Sequence, residues 1–84
     1  MLVGKRDEFD LNEMAIFVHV VKAGSFTKAA KNLSLPKSTV SRKITQLEER
    51  LGVRLIQRTT RSLRLTDTGS SYFGYCERIL KKPT

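Results

Sequence analysis

Histidine and cysteine, two residue types that act as a base or a nucleophile, occur once each in this 84-residue chain, as His19 and Cys76. Nucleophilic catalysis requires such a group to be paired with a base or an orienting acid, and neither residue has a visible partner set. Cys76 falls inside an apolar stripe, where a buried, inert thiol is expected. One cysteine and one histidine form neither an internal disulfide nor a structural zinc site. We therefore expect no catalytic residue, no metal and no cofactor in these residues.

Basic residues offer a second kind of chemistry, the recognition of a polyanion. The chain has 16 Lys and Arg against 8 Asp and Glu, a net charge of +8. Eight of the basic residues and two of the acidic ones lie between Lys37 and Arg64, whereas four acidic residues lie within the first 13 positions. This uneven distribution favours an oriented basic face, and nucleic acid as its partner, over a uniformly adhesive surface.

Length and hydropathy narrow the class of protein. A chain of 84 residues is shorter than the usual domain of roughly 100–150 residues, which predicts one small domain that leans on a partner chain for stability. No apolar run approaches the roughly 20 residues that span a bilayer, and the N-terminus lacks the order of a signal peptide. We expect a cytoplasmic protein with no membrane partner.

Apolar periodicity and capping residues predict four helices. Helix one should run from the N-cap Asp10 to Gly24, and helix two over residues 26–33 after the N-cap Ser25. Helix three should span residues 36–51, and helix four should run from residue 67 to about residue 82 after the N-cap Thr66. Between helices three and four the period changes from 3.6 to 2, which predicts a two-stranded hairpin over residues 53–58 and 62–66 with a basic tip.

Helix three has two contrasting faces. Its apolar residues form one stripe, namely Val40, Ile44, Leu47 and Leu51. The opposite face carries short polar residues and an arginine, namely Ser38, Ser41, Arg42 and Thr45. A helix of this kind, joined to helix two by a tight turn at Pro36, is typical of a helix-turn-helix. We predict a mainly α fold: a winged helix-turn-helix with a three-helix core and a two-stranded wing, followed by a long helix, which the family resemblance described next makes a linker and dimerisation helix.

Motifs along most of the chain resemble the LysR-type transcriptional regulators. They are FVHVV at 17–21, GSFTKAA at 24–30, VSR at 40–42, Ile44, LEE at 47–49, LG at 51–52, LIQR at 55–58, and LT at 65–66 with Gly69. Together they cover roughly residues 11–80. At the start of helix three the chain has Pro36-Lys37-Ser38 where the family usually has Ser-Gln-Pro, so a target sequence cannot be transferred from relatives.

The resemblance implies a bacterial regulator that binds double-stranded DNA sequence-specifically, as a homodimer on an interrupted inverted repeat. Helix three at 36–51 would lie in the major groove and the wing at 53–66 at the minor groove. The implied domains are an N-terminal extension at 1–10, the winged helix-turn-helix at 11–65 and the linker helix at 66–82. In this family a domain that binds a small-molecule effector normally follows, and it is absent from this sequence. The resemblance does not decide whether a full-length protein forms dimers or tetramers.

The residues predicted to contact DNA fall into two groups. Those expected to contact bases are Lys37, Ser38, Thr39, Ser41, Arg42 and Thr45 of helix three, with Arg61 at the hairpin tip. Those expected to contact phosphates are Ser25, Thr27, Lys28, Lys43, Arg58 and Arg64. Arginine binds guanine with two hydrogen bonds, serine and threonine bind several acceptors, and a narrow minor groove attracts an inserted arginine. A solvated helix face, simple capping by Ser25, and a phosphate contact by Lys37 are the alternatives.

Apolar residues beyond the needs of one small core predict a dimer interface. The predicted set is Ile16, Val20, Tyr72, Phe73, Cys76, Ile79 and Leu80. The alternative is that the stripe on helix four packs on the core of its own chain.

Two other functions fit a small basic domain. An RNA-binding module would show exposed aromatic side chains for stacking, whereas the aromatic residues here fall mostly on predicted apolar stripes. A winged helix used only for protein assembly would not need the basic residues around Arg42 and Arg61 on one face.

Overall fold

The computed structural model of this chain describes residues 11–58 and 63–80. Within them lie α1 (Leu11–Ala23), α2 (Phe26–Leu33), α3 (Lys37–Leu51), β1 (Ile56–Arg58), β2 (Leu63–Leu65) and α4 (Asp67–Leu80). This order of elements confirms the predicted mainly α, winged helix-turn-helix fold. The predicted N-terminal extension, the hairpin tip at 59–62 and the predicted end of helix four at 81–82 lie outside the described residues.

Local capping explains where the helices begin and end. The Ser25 hydroxyl accepts a hydrogen bond from the Lys28 N–H at 3.1 Å, and the Thr66 hydroxyl accepts one from the Gly69 N–H at 2.9 Å. Both predicted N-caps are therefore confirmed. Helix α3 begins at Lys37 because Pro36 stays extended, with φ −64° and ψ 145°, and serves as its N-cap. Gly52, with φ 73°, ends α3 in the left-handed region that favours glycine.

Helix α1 is the centre of the core. It contacts α2, α3 and α4, so both of its apolar faces are covered within the chain. The ring of Phe17 is fully buried and lies 5.7 Å from the Tyr72 ring and 6.4 Å from the Phe73 ring, measured between centroids. Helix α4 therefore packs on α1 of its own chain through aromatic contacts.

One ion pair joins α1 to α3. Glu13 is only 2% exposed, and its carboxylate receives hydrogen bonds from both terminal nitrogens of the Arg50 guanidinium, one of them at 3.0 Å. The sequence places Glu13 three residues after the N-cap Asp10, which predicts a role at the helix end. Asp10 lies outside the described residues, so that role stays a prediction. The structure shows in addition that the Glu13 side chain reaches α3, where the guanidinium compensates the burial of its charge.

The wing is shorter than the sequence predicts. Strands β1 and β2 pair antiparallel, with Ile56 opposite Leu65 and Arg58 opposite Leu63. Residues 53–55 precede β1 outside the assigned strand, and two of their N–H groups bond Glu48 of α3. The Val53 N–H bonds the Glu48 main-chain carbonyl at 3.2 Å, and the Leu55 N–H bonds the Glu48 carboxylate at 2.8 Å.

The first turn of α4 lies directly on the backbone of Leu55. A Cβ atom built on Gly69 would be 2.0 Å from the Leu55 carbonyl oxygen and 2.8 Å from its carbonyl carbon. Backbone atoms cannot move aside as a side chain can, so this contact requires glycine.

We expect Gly69→Ala to lower the free energy of unfolding by about 3 kcal/mol, because overpacking against backbone forces the elements apart. Gly74→Ala is the matched control on the same helix, since a Cβ at Gly74 meets no atom within 4 Å. It should be neutral or stabilising by about 0.5–1 kcal/mol. Urea unfolding followed by circular dichroism measures both, and equal effects of the two substitutions would contradict the close contact.

Candidate nucleic-acid interface

Helix α3 separates an apolar face from a polar one. Val40, Ile44 and Leu47 are buried in the core, which confirms the predicted stripe, although Leu51 at the helix end stays partly exposed. On the other side the predicted base-contacting residues reach the surface to different extents. Lys37, Ser38 and Arg42 are exposed, and Thr39, Ser41 and Thr45 are half-buried. The structure thus brings all six onto one helix without burying any of them.

The turn between α2 and α3 holds this helix close to its neighbour. Ser34 ends α2 with φ 58° and ψ 42°, and the Leu35 N–H bonds the Ala30 carbonyl at 2.9 Å. Ala29 and Ala30 are both buried, and such small side chains let two helices approach closely. The second helix of the pair therefore projects its polar face away from the core.

The predicted phosphate contacts lie on three elements. Thr27 and Lys28 are exposed in the first turn of α2, and Ser25, half-buried, uses its hydroxyl as the N-cap. Lys43 is half-buried on α3, and Arg64 is exposed on β2. Arg58 is the last residue of β1. Arg61 lies outside the described residues, so its place in the wing stays a prediction.

The first turns of α2 and α3 contain no acidic residue. Helix N-termini carry a partial positive charge and free N–H groups, which suit phosphate oxygens. The lysines of these turns add to that potential, so the exposed polar side of α3 is electrostatically suited to a polyanion.

Sequence reasoning missed the function of two carboxylates. Glu13 pairs with Arg50 as described above. Glu48 is 9% exposed, and its Oε2 atom accepts hydrogen bonds from the Leu55 N–H at 2.8 Å and the Ile56 N–H at 3.0 Å. A signal for Glu48 existed, because it follows Ile44 by four residues and so falls on the apolar stripe of α3.

The predicted dimer surface needs correction. Ile16, Val20 and Cys76 are 5%, 0% and 0% exposed within the single chain, because α2, α3 and α4 all pack on α1. They offer no surface to a second chain. Tyr72, Phe73 and Leu80 are partly buried against the same core.

The exposed apolar residues of α4 are Ile79, at 41%, and Tyr75, at 37%. They are four residues apart and so lie on one side of the helix. The sequence prediction contained Ile79 but not Tyr75. The Tyr75 ring lies 5.9 Å from the Tyr72 ring, which extends this surface toward the core.

Burial controls the acidity of the two titratable groups on the inner side of α4. Burial raises the pKa of the Cys76 thiol to about 11, and a hydrogen bond with Tyr72 partly offsets that rise. Burial, with a smaller contribution from Cys76, also raises the pKa of Tyr72 above its usual value. Both groups are protonated at neutral pH.

Among the described residues no three His, Cys, Asp or Glu side chains gather as metal ligands, and no helix is long and apolar enough to cross a membrane.

The fold and the polar face of α3 define the class of protein, a winged helix-turn-helix domain of the kind that binds DNA. The family model described as "Bacterial regulatory helix-turn-helix protein, lysR family" matches residues 11–70. The chain therefore belongs to the LysR family of bacterial regulators.

Individual relatives agree with this assignment. An HTH-type transcriptional regulator of Xanthomonas campestris is 55% identical over 73 residues, which are 87% of this chain and 21% of the relative. The chain thus spans about a fifth of that relative's length. The BenM DNA-binding domain in complex with catB site 1 DNA is 38% identical with a TM-score of 0.82, over 86% of this chain and 77% of that one. The CbnR DNA-binding domain in complex with DNA is 32% identical with a TM-score of 0.83, over 87% and 84%.

The burial of Cys76 within one chain predicts its reactivity. At pH 8 the native thiol should react with a disulfide reagent at least about 100-fold more slowly than in denaturant, because little of it is thiolate and access is blocked. Dilution from a dimeric to a monomeric concentration should leave this rate unchanged. A rate that rises on dilution would show that a second chain, and not α4 packing on α1, covers the thiol.

Proposed function

We propose that this chain is the DNA-reading part of a dimeric LysR-type transcriptional regulator, with α3 in the major groove and the wing at the minor groove of each half of an interrupted inverted repeat. The polar, basic face of α3, held outward by the burial of Val40, Ile44 and Leu47 on the opposite face, is the observation that carries this proposal. The similar BenM and CbnR domains were solved on DNA, which supports the same partner for this chain.

Each side chain of α3 has a role that suits its exposure. Arg42 is exposed and long enough to bind guanine O6 and N7 with two hydrogen bonds. Lys37 and Ser38 at the helix start are placed for bases or for adjacent phosphates. Half-buried Thr39, Ser41 and Thr45 offer short hydroxyls that bind bases only where the helix lies deep in the groove.

The remaining basic residues position the domain on the duplex. Thr27 and Lys28 would contact one phosphate strand from the start of α2, with Ser25 aiding through its capped helix N-terminus. Lys43, Arg58 and Arg64 would contact phosphates beside α3 and along the wing. Arg61 would enter the minor groove, where negative potential is concentrated in A·T-rich DNA. Such contacts fix the orientation of the protein, while base contacts determine its sequence preference.

Self-association through α4 would place two recognition helices about one turn of DNA apart. Ile79 and its exposed neighbour Tyr75 would form the centre of that contact, with the outer edges of Tyr72, Phe73 and Leu80. We propose homodimers for this chain and leave tetramers to the longer regulator. DNA as the partner places the protein in the bacterial cytoplasm, at the nucleoid.

We further propose that this segment performs no catalysis and holds no cofactor. Its matched relative is named as a transcriptional regulator, which supports regulation as the activity. A small-molecule effector would bind a part of the regulator outside these residues.

Selection of bound duplexes from a random DNA pool tests the reading function. The parent chain should enrich an interrupted inverted repeat, and Arg42→Ala should change the preferred base at one position of each half-site, at a cost of about 1–3 kcal/mol for the original base. Lys22→Ala removes one positive charge from α1, where Lys22 pairs with Glu77, and should leave the motif unchanged. Binding without any enriched motif would contradict sequence-specific reading. Loss of binding in Lys22→Ala, with binding retained in Arg42→Ala, would show that the DNA interface does not lie on α3.

Sedimentation equilibrium tests the dimer surface. Ile79→Glu should convert the dimer to a monomer, because it puts a charge into an apolar contact while altering a side chain that is 41% exposed in the single chain. Ser70→Glu is the control, since Ser70 is also exposed and lies nine residues away, on the opposite side of α4. Equal dimer affinity in the two variants would rule out the Ile79 side of α4 as the interface.

A further inference from the structure

We propose that Glu48 is a positioning residue for DNA binding, which holds the wing on the recognition helix α3 so that Arg64 reaches the phosphate backbone while α3 occupies the major groove. This inference rests on the proposed function, because it assumes that the wing contacts DNA.

Glu48 forms hydrogen bonds with both ends of the connection between α3 and the wing. Its main-chain carbonyl accepts the N–H groups of Gly52 at 2.8 Å and Val53 at 3.2 Å, which ends the helix. Its carboxylate reaches forward to the N–H groups of Leu55 at 2.8 Å and Ile56 at 3.0 Å. Ile56 is the first residue of β1, so the start of the wing is hydrogen-bonded to a side chain of α3.

The same segment is held from its other side by the start of α4. The Thr66 hydroxyl donates to the Arg54 carbonyl at 2.6 Å, and the Thr66 N–H donates to the Leu55 carbonyl at 3.0 Å. Gly69 lies against the same carbonyl group. The recognition helix, the wing and α4 therefore meet at Leu55, and Glu48 supplies the contacts from the recognition helix.

The position of this carboxylate is otherwise unfavourable. It lies four residues after Ile44 on the stripe of α3 that packs in the core, where an apolar side chain would suit burial. Its negative charge also lowers the positive potential of a helix that should attract phosphates. A charged acceptor forms stronger hydrogen bonds than a neutral one, so binding two buried N–H groups of the wing accounts for a carboxylate here.

The pairing of β1 with β2 links the hydrogen bonds of Glu48 to the position of Arg64. Ile56 is opposite Leu65 and Gln57 is opposite Arg64, so the residue after the second anchored amide pairs directly with the predicted phosphate-contacting arginine. Arg64 is exposed on β2. A wing released from Glu48 would keep its charge but lose its fixed position relative to α3.

The test compares how much Arg64 contributes to salt dependence in four backgrounds: the parent chain, Glu48→Met, Glu48→Gln and Glu49→Gln. Met has a similar length and suits the core stripe, Gln restores a neutral acceptor, and Glu49→Gln makes the same charge change at an exposed neighbour. Affinity for the duplex selected by the parent chain is measured over a range of salt concentrations, with and without Arg64→Ala.

In the parent, the plot of log K against log salt has a negative slope, and Arg64→Ala should make this slope shallower by about 2, because each chain of the dimer loses one phosphate contact. The same reduction should occur with Glu49→Gln. In Glu48→Met the reduction should fall below about 1, with partial recovery in Glu48→Gln. A merely stabilising role would lower affinity without changing what Arg64 contributes, so an undiminished Arg64 effect in Glu48→Met would overturn the proposal. If Glu48→Met does not fold, the comparison of Glu48→Gln with Glu49→Gln decides in the same way.

Amide hydrogen exchange separates this proposal from the proposed function. Glu48→Gln should speed exchange at Leu55 and Ile56 relative to amides within α1, whereas Glu49→Gln should not. Unchanged exchange at those two amides would overturn the hold of Glu48 on the wing. An Arg64→Ala substitution without effect in the parent would instead refute the wing contact with phosphate, and with it a role for Glu48 in DNA binding.

Discussion

The position of the recognition helix depends on one half-buried ion pair. Glu13 of α1 is almost fully buried, and Arg50 near the end of α3 compensates its charge with two hydrogen bonds. Removing Arg50 would leave the Glu13 charge buried without its cationic partner, whereas the Arg50 side chain is already 26% exposed to solvent. The pair thus allows few alternative placements of α3 on α1. The polar face of α3 points outward because the apolar face and this pair leave it no other orientation.

The wing depends on α3 in turn. The carboxylate of Glu48 accepts the N–H groups of Leu55, just before β1, and of Ile56, the first residue of β1. From the other side, the first turn of α4 approaches so closely that only a glycine fits at position 69. Among the described residues, the surfaces of α3 and β2 that are proposed to contact DNA are thus joined by hydrogen bonds, and a preformed arrangement limits the conformational entropy lost on binding.

Burial separates two carboxylates from the basic surface. Glu13 and Glu48 are withdrawn into the core and accept hydrogen bonds there. Arg42 and Arg64 remain exposed. The fold therefore uses its buried negative charges to hold elements together and leaves positive charge outside, which favours a phosphate backbone as partner. Helix α4 divides in the same manner, with Cys76 turned inward and Ile79 outward.

The sequence alone determined the features that depend on near neighbours. The N-caps Ser25 and Thr66, the helix end at Gly52 and the two faces of α3 follow from residues within one or two turns, so they were predicted correctly. Tertiary structure decided which apolar surface stays free and what the buried carboxylates do. Ile16 and Val20 form a spare stripe only until the other three helices pack on α1, and Glu13 meets Arg50 across 37 residues of chain. Periodicity shows that a stripe will be buried, but only the packing of distant elements determines whether the chain itself or a partner covers it.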